Sequence, residues 1–193
     1  MERIEEILDG VKTMGIGGHV RPDGDCVGSC MALYLYMKTW YPEIKTDIYL
    51  EKPKPVFGHI TGLSEARYEA GEPKKYDLFV TCDVSALERL AVARDHFANA
   101  EKTVCIDHHV SNIGFADINH VCGEISSASE VLYNLLDKEK INLEIATALY
   151  TGIIHDTGVF QYSSTSPDTM RIAGDLMEKG VDFSNIIDES FYQ

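Results

Sequence analysis

An α/β domain with a mainly parallel sheet is the fold class the sequence predicts, and three observations carry the prediction. Short apolar runs alternate with helical apolar periods from end to end, the pattern of repeating βα units. Three of the strand-like runs end in acids or histidines, at what becomes the carboxyl edge of a parallel sheet, where open α/β sheets bind their ligands. A length of 193 residues, 45% hydrophobic and 25% charged, suits one globular domain with a buried core.

Taken in order, the first strand is expected near Met14 to Gly18, followed by a loop from Val20 to Asp25 and an apolar helix from about Val27 to Lys38. Further strands are expected at Thr46 to Leu50, Asp77 to Cys82 and Thr103 to Ile106, with a weaker one near Ala116 to Val121. The second half turns helical. Val131, Leu132, Leu135 and Leu136 share one helix face, as do Ile145, Leu149 and Ile153. Ser166-Pro167-Asp168 reads as an N-cap, a proline at the first helical position and an acid in the first turn of a helix ending near Gly180. Beyond it, Ile186, Ile187 and Phe191 fit one more helix.

Composition narrows the partners. Lys+Arg 17 against Asp+Glu 31 leaves a net charge of −14, which works against a general nucleic-acid surface, because a Lys/Arg surplus normally supplies phosphate affinity. The acids either form a solubilising surface or gather around bound cations. The longest apolar stretch, around Met31 to Met37, falls far short of the roughly 20 residues that span a bilayer, and the amino terminus is no signal peptide. The chain therefore reads as cytoplasmic, without a membrane partner. Five cysteines, Cys26, Cys30, Cys82, Cys105 and Cys122, contain no C-x-x-C pair and read as reduced core residues.

The chemistry is expected at the strand ends. In Gly18-His19-Val20-Arg21-Pro22-Asp23-Gly24-Asp25, Pro22 keeps Arg21 from helical geometry and Gly24 permits a bend, so His19, Asp23 and Asp25 can converge from a turning loop. Two carboxylates so close repel unless a cation lies between them or they face solvent as a polar turn. Asp83 follows Leu78 to Cys82 and, alone, reads as a helix N-cap for Ala86 to Leu90. Asp107-His108-His109 ends the next run; adjacent side chains there point different ways, so one imidazole can bind a metal while its neighbour reaches a substrate. His155-Asp156 ends the Ile145 helix and, by itself, equally suits a solvated helix end. Together these imidazoles and carboxylates are too many for one tetrahedral zinc. Six ligands suit two divalent ions roughly 3.5–4 Å apart, and four aspartates would be neutralised by them. Ligation without thiolate favours Mn²⁺ over Mg²⁺. His59, His96 and His120 lack such context and read as surface or capping residues.

In this order and spacing the motifs resemble the DHH phosphoesterase superfamily: His19-x-x-Pro22-Asp23-Gly24-Asp25-x-x-Gly28-Ser29, then Asp83, then Asp107-His108-His109 with Ser111-Asn112, then His155-Asp156. The resemblance implies a Rossmann-like three-layer α/β domain with a five-stranded, mainly parallel sheet and a di-manganese site. It implies His19, Asp23 and Asp83 on one ion, and Asp25, Asp83, His108 and Asp156 on the other, with Asp83 bridging. Asp107 would orient a histidine, and His109 would stay off the metals and donate to a phosphoryl oxygen.

Asp156-Thr157-Gly158-x-Phe160-x-Tyr162-Ser163-Ser164-Thr165 is most similar to the oligoribonuclease and 3′-phosphoadenosine-5′-phosphate phosphatase group of that superfamily. The implied function is metal-dependent hydrolysis of short oligoribonucleotides or of that nucleotide by water activated between the two ions. Pyrophosphate or polyphosphate hydrolysis by the same metal pair, and nucleotide binding without turnover, are the competing readings. Ser163 to Thr165 read as capping for the next helix. Cys26 stands where the family more often has Ala, a small-for-small change. Members usually carry a second, carboxy-terminal substrate-binding domain, so residues 1–185 are assigned to the DHH domain and 186–193 to the start of a connector to an absent partner domain. The expected partner is a nucleotide or short oligonucleotide, not long nucleic acid; a homodimer is left open.

Overall fold

The computed structural model describes residues 3–192. Five parallel strands, β1 (Thr13–Gly17), β2 (Lys45–Tyr49), β3 (Leu78–Cys82), β4 (Lys102–Asp107) and β5 (Ile118–Val121), form one sheet in the order β2-β1-β3-β4-β5. Every pairing is parallel, and the register places Gly17 beside Thr81 and Cys82 beside Ile106. β3 is buried along its whole length, as the apolar run Leu78-Phe79-Val80 requires of a strand covered on both faces. The chain leaves β1 toward β2 on one side and returns to β3 on the other. This reversal opens a crevice at the carboxyl ends of β1 and β3.

Helix α1 (Gly24–Trp40) is buried from Gly24 to Met37, with no polar face, because it lies between the sheet and α4 (Leu143–Asp156). Gly28 permits this contact: a Cβ there would stand 2.5 Å from the Ala148 carbonyl oxygen and 2.8 Å from the Gly152 nitrogen. α3 (Ala128–Leu135) and α5 (Pro167–Glu178) complete the layer, and α6 (Phe183–Phe191) runs across residue 186 with Ile186 buried in the same core. The other face carries a thinner cover, α2 (Arg94–Ala98) and short 3₁₀ turns over Tyr49, Tyr76, Phe79 and Phe97.

Several local expectations need correction. α1 begins at Gly24 rather than Val27, so Asp25 sits in its first turn and not in a loop. The bend is made by Arg21, which adopts a left-handed φ of 52°, whereas Gly24 makes room for the His155 ring. Asp83 caps no helix; the residues after it form a 3₁₀ turn at Leu87–Arg89 preceded by Ala86. His96 is no surface residue but wholly buried, with Nε2 donating to the Ala70 carbonyl at 2.7 Å, Nδ1 accepting the Lys74 N–H at 2.9 Å and the ring stacked on Tyr49. His120 is buried as well. The α5 cap is Ser166 with Thr169 in a reciprocal capping box, without a contribution from Ser163 to Thr165. Among the described residues no helix is long and apolar enough to cross a membrane.

Candidate metal centre

The crevice gathers eight of the nine acidic and imidazole side chains singled out from the sequence, all but His155. His19 follows β1 directly. Its Nδ1 donates to the Val20 carbonyl at 2.7 Å, which leaves Nε2 as the free nitrogen, 3.3 Å from Asp83 Oδ2 and 3.6 Å from Asp23 Oδ1. Asp23 is the N-cap of α1, and its Oδ1 accepts the N–H groups of Asp25 and Cys26. Burial opposes its charge, but His19 and these two N–H donors outweigh burial and hold the Asp23 carboxyl down to about 2.

Asp83 ends β3 with a left-handed φ of 58°, strain that a non-glycine residue carries only when its surroundings enforce it. Its N–H is tied to the Ile106 carbonyl at 2.9 Å. The conformation splits the carboxylate between two positions. Oδ2 faces His19, while Oδ1 faces His108 Nε2 and His109 Nδ1, each at 3.6 Å. Oδ1 is buried and accepts no hydrogen bond.

On the far side of Asp83, His108 Nε2 lies 2.9 Å from Asp156 Oδ2 at the end of α4 and 3.9 Å from Asp25 Oδ2. Asp25 is fully buried and held by the amino terminus of α3, where its two oxygens accept the N–H groups of Ala128 at 2.6 Å and Ser129 at 2.9 Å. This cradle had no signal in the sequence, since residues 25 and 128 meet only through the packing of α1 on α3. Gly152 keeps the space open: a Cβ there would stand 2.7 Å from Asp25 Oδ1.

Asp107 stands apart from these two groups. Its Oδ1 accepts from His109 Nδ1 at 2.8 Å and its Oδ2 from Asn112 Nδ2 at 2.7 Å, so both oxygens are used in fixing His109. His109 remains partly exposed. The Asp107 hydrogen bond is the leading reason that its imidazole is more basic than usual. His155 lies against Gly24 and between Phe57 and Phe191, facing away from solvent.

The charges show that the donor set fits divalent cations. Burial, then the neighbouring Asp25 carboxylate, pushes Asp83 up to about 8, and burial together with Asp156 pushes Asp25 up too. Burial works against a charged His108, but Asp156, Asp25 and Asp83 raise it to about 9. Buried carboxylates that hold protons, beside imidazoles that gain them, mark a pocket short of positive charge. Three three-residue groups, Asp25/His108/Asp156, Asp83/His108/His109 and His19/Cys26/Asp83, each bring their potential ligand atoms within 4.8 Å of one another; in the second, His109 Nδ1 is already tied to Asp107. Cys26 in the third group was not among the expected ligands.

The chain is 32% identical over 178 residues to the bifunctional oligoribonuclease and PAP phosphatase NrnA of Bacillus subtilis, an alignment covering 90% of this chain and 55% of that protein. It spans little more than half the length of the curated relatives it matches. The fold superposes with a TM-score of 0.87 on an exopolyphosphatase-related protein from Bacteroides fragilis, at 24% identity, over 98% of this chain and 59% of that one. It superposes at 0.51 on exonuclease RecJ bound to manganese, at 15% identity, over 97% and 52% of the two chains. Residues 13–153 match the model of the DHH family N-terminal domain, and with its motif residues assembled at the crevice of a parallel sheet the chain belongs to the DHH family.

Proposed function

We propose that this chain supplies the metal-dependent catalytic half of a phosphoesterase that hydrolyses short oligoribonucleotides, 3′-phosphoadenosine-5′-phosphate, or both. The observation that carries the reading is Asp83, one buried carboxylate with Oδ2 turned to His19 and Oδ1 turned, unpartnered, to His108. His19, Asp23 and Asp83 would hold one divalent ion, and Asp25, Asp83, His108 and Asp156 the other. Manganese is the favoured ion, with magnesium as the abundant competitor. When bound, such a pair supplies a water activated at neutral pH and positive charge against the phosphoryl oxygens.

The remaining steps fall to the chain's own residues. Asp107 holds the His109 Nδ1–H, which leaves Nε2 of the protonated ring to donate to a phosphoryl oxygen as charge develops. Asn112 prevents Asp107 from turning away. The net charge of −14 gives no reason to expect extended nucleic-acid binding, which fits a short substrate. The B. subtilis relative, named for both activities, supports the substrate class.

The test is a single-turnover assay with Mn²⁺ at high protein concentration, comparing mononucleotide release from a diribonucleotide with phosphate release from 3′-phosphoadenosine-5′-phosphate and from pyrophosphate. Hydrolysis of either nucleotide substrate, reduced by at least roughly 10²–10³-fold in Asp83→Ala, is expected. Turnover of pyrophosphate alone, or equal rates for Asp83→Ala and the parent chain, would sink the reading.

A further inference from the structure

The two halves of the centre differ in chemistry. Around His108 the donors are imidazole and carboxylate only, whereas beside His19 there is a thiol. Cys26 lies in the first turn of α1, wholly buried, one residue after Asp25. Its Sγ accepts the backbone N–H of His19 at 3.2 Å. It occupies the place that a Cβ on Gly18 would take, so the glycine before His19 leaves the room the sulfur fills. Ligand atoms of His19, Cys26 and Asp83 all lie within 4.8 Å of one another, and Asp83, nearly inaccessible to solvent, turns its Oδ2 toward His19 at 3.3 Å. The neighbouring Asp23 oxygen is meanwhile shared between two N–H groups of α1.

From this geometry we infer that Cys26 is a ligand and that the position beside His19 is thiophilic: His19, Cys26 and Asp83 take Zn²⁺ or Co²⁺ in preference to Mn²⁺, while Asp25, His108 and Asp156 keep a harder ion. The inference rests on the two-ion reading above and changes what fills one half of it. Donor softness gives the reason. Thiolate with imidazole selects zinc-like ions, and ligands of one tetrahedral zinc, at bond lengths of about 2.0–2.3 Å, lie about 3.5 Å apart, so the three donor atoms, within 4.8 Å of one another, close in on binding. Binding displaces the thiol proton to solvent, and the His19 N–H already in place stabilises the sulfur's negative charge. A centre of this kind holds two different metals, and the replacement of Ala by Cys at position 26 is a change of chemistry, not only of size.

Cobalt titration of the metal-free protein tests this without reference to activity. Tetrahedral Co²⁺ shows visible ligand-field bands, and a thiolate ligand adds a near-ultraviolet charge-transfer band. The expected result is that the parent protein and Cys30→Ala show both, whereas Cys26→Ala and the near-isosteric Cys26→Ser lose the charge-transfer band and retain the ligand-field bands. Ligand-field bands without a sulfur band in the parent protein, or a sulfur band that survives Cys26→Ser, would overturn the inference and leave the two-ion centre intact. Failure of the parent protein to bind cobalt at all would overturn both. X-ray absorption of the zinc-loaded parent protein needs no variant: a sulfur scatterer at about 2.3 Å is expected, and a shell of nitrogen and oxygen alone contradicts the inference.

Discussion

Asp107 is a residue whose role depends on which neighbour it meets. It is fully buried with both oxygens occupied, by His109 and Asn112, an arrangement that fits the proposed role of directing an imidazole. Asp107→Asn is expected to lower the hydrolytic rate by roughly 10²-fold, the share of one misdirected donor to a phosphoryl oxygen, while the number of ions bound, measured by atomic spectroscopy, stays that of the parent. Loss of an ion would instead place Asp107 among the ligands. The acids and imidazoles of the centre were legible in the sequence because each falls at the end of an apolar run. The use of each was not. Asp83 read alone as a helix cap, yet its left-handed backbone and divided carboxylate arise from pairing between β1, β3 and β4. His96 read as a surface residue because its carbonyl, amide and aromatic partners, Ala70, Lys74 and Tyr49, lie 22 to 47 positions away.

Among the elements, α1 and α4 bear the site between them, since one holds Asp25 and the other Asp156. Their approach depends on Gly28 and Gly152, and no sequence period announces it. Gly28→Ala is expected to cost about 1–3 kcal/mol in denaturant unfolding, because the new methyl would meet backbone atoms of α4 that cannot turn aside. Gly152→Ala is expected to weaken metal binding as well, which calorimetric titration reads, since its methyl would press on Asp25 and Ser129. At α5 the cost is separable from the site. Ser166→Ala should lose about 1 kcal/mol with metal stoichiometry unchanged, because Ser166 Oγ accepts the Thr169 N–H at the helix start, while the tie from α5 to Glu130 of α3 runs through Thr169 Oγ1. The strands and longer helices followed from apolar periodicity within a residue or three of their ends. α2 and the 3₁₀ turns did not, since three to five residues are too few for a period to show.

At the scale of the whole molecule, the net charge of −14 and the centre meet in one pH dependence. Asp83 and His108 both bind protons more tightly in the metal-free fold than in the unfolded chain. Asp83 rises from 3.8 to about 8 and His108 from 6.5 to about 9. Through these groups the fold therefore loses stability as pH rises across those intervals. Divalent ions remove the penalty by taking the protons' place. The increase in melting temperature on adding a saturating divalent ion should accordingly be larger at pH 8 than at pH 6; an equal increase at both would mean that these groups are not displaced by metal.

The sequence by itself determined the βα class, the parallel sheet's strands and the set of candidate residues that meet at the crevice, because periodicity and motif spacing are properties of a single chain read locally. Tertiary structure alone decided how those residues divide the work. The reversal between β1 and β3 sets His19 and Asp83 on either side of one crevice, the packing of α1 on α3 and α4 ties Asp25 and brings up Asp156, and the turn at Gly18 lays the sulfur of Cys26 beside the imidazole. These are contacts between distant segments, and their geometry follows from how layers pack, which no local pattern of residues encodes.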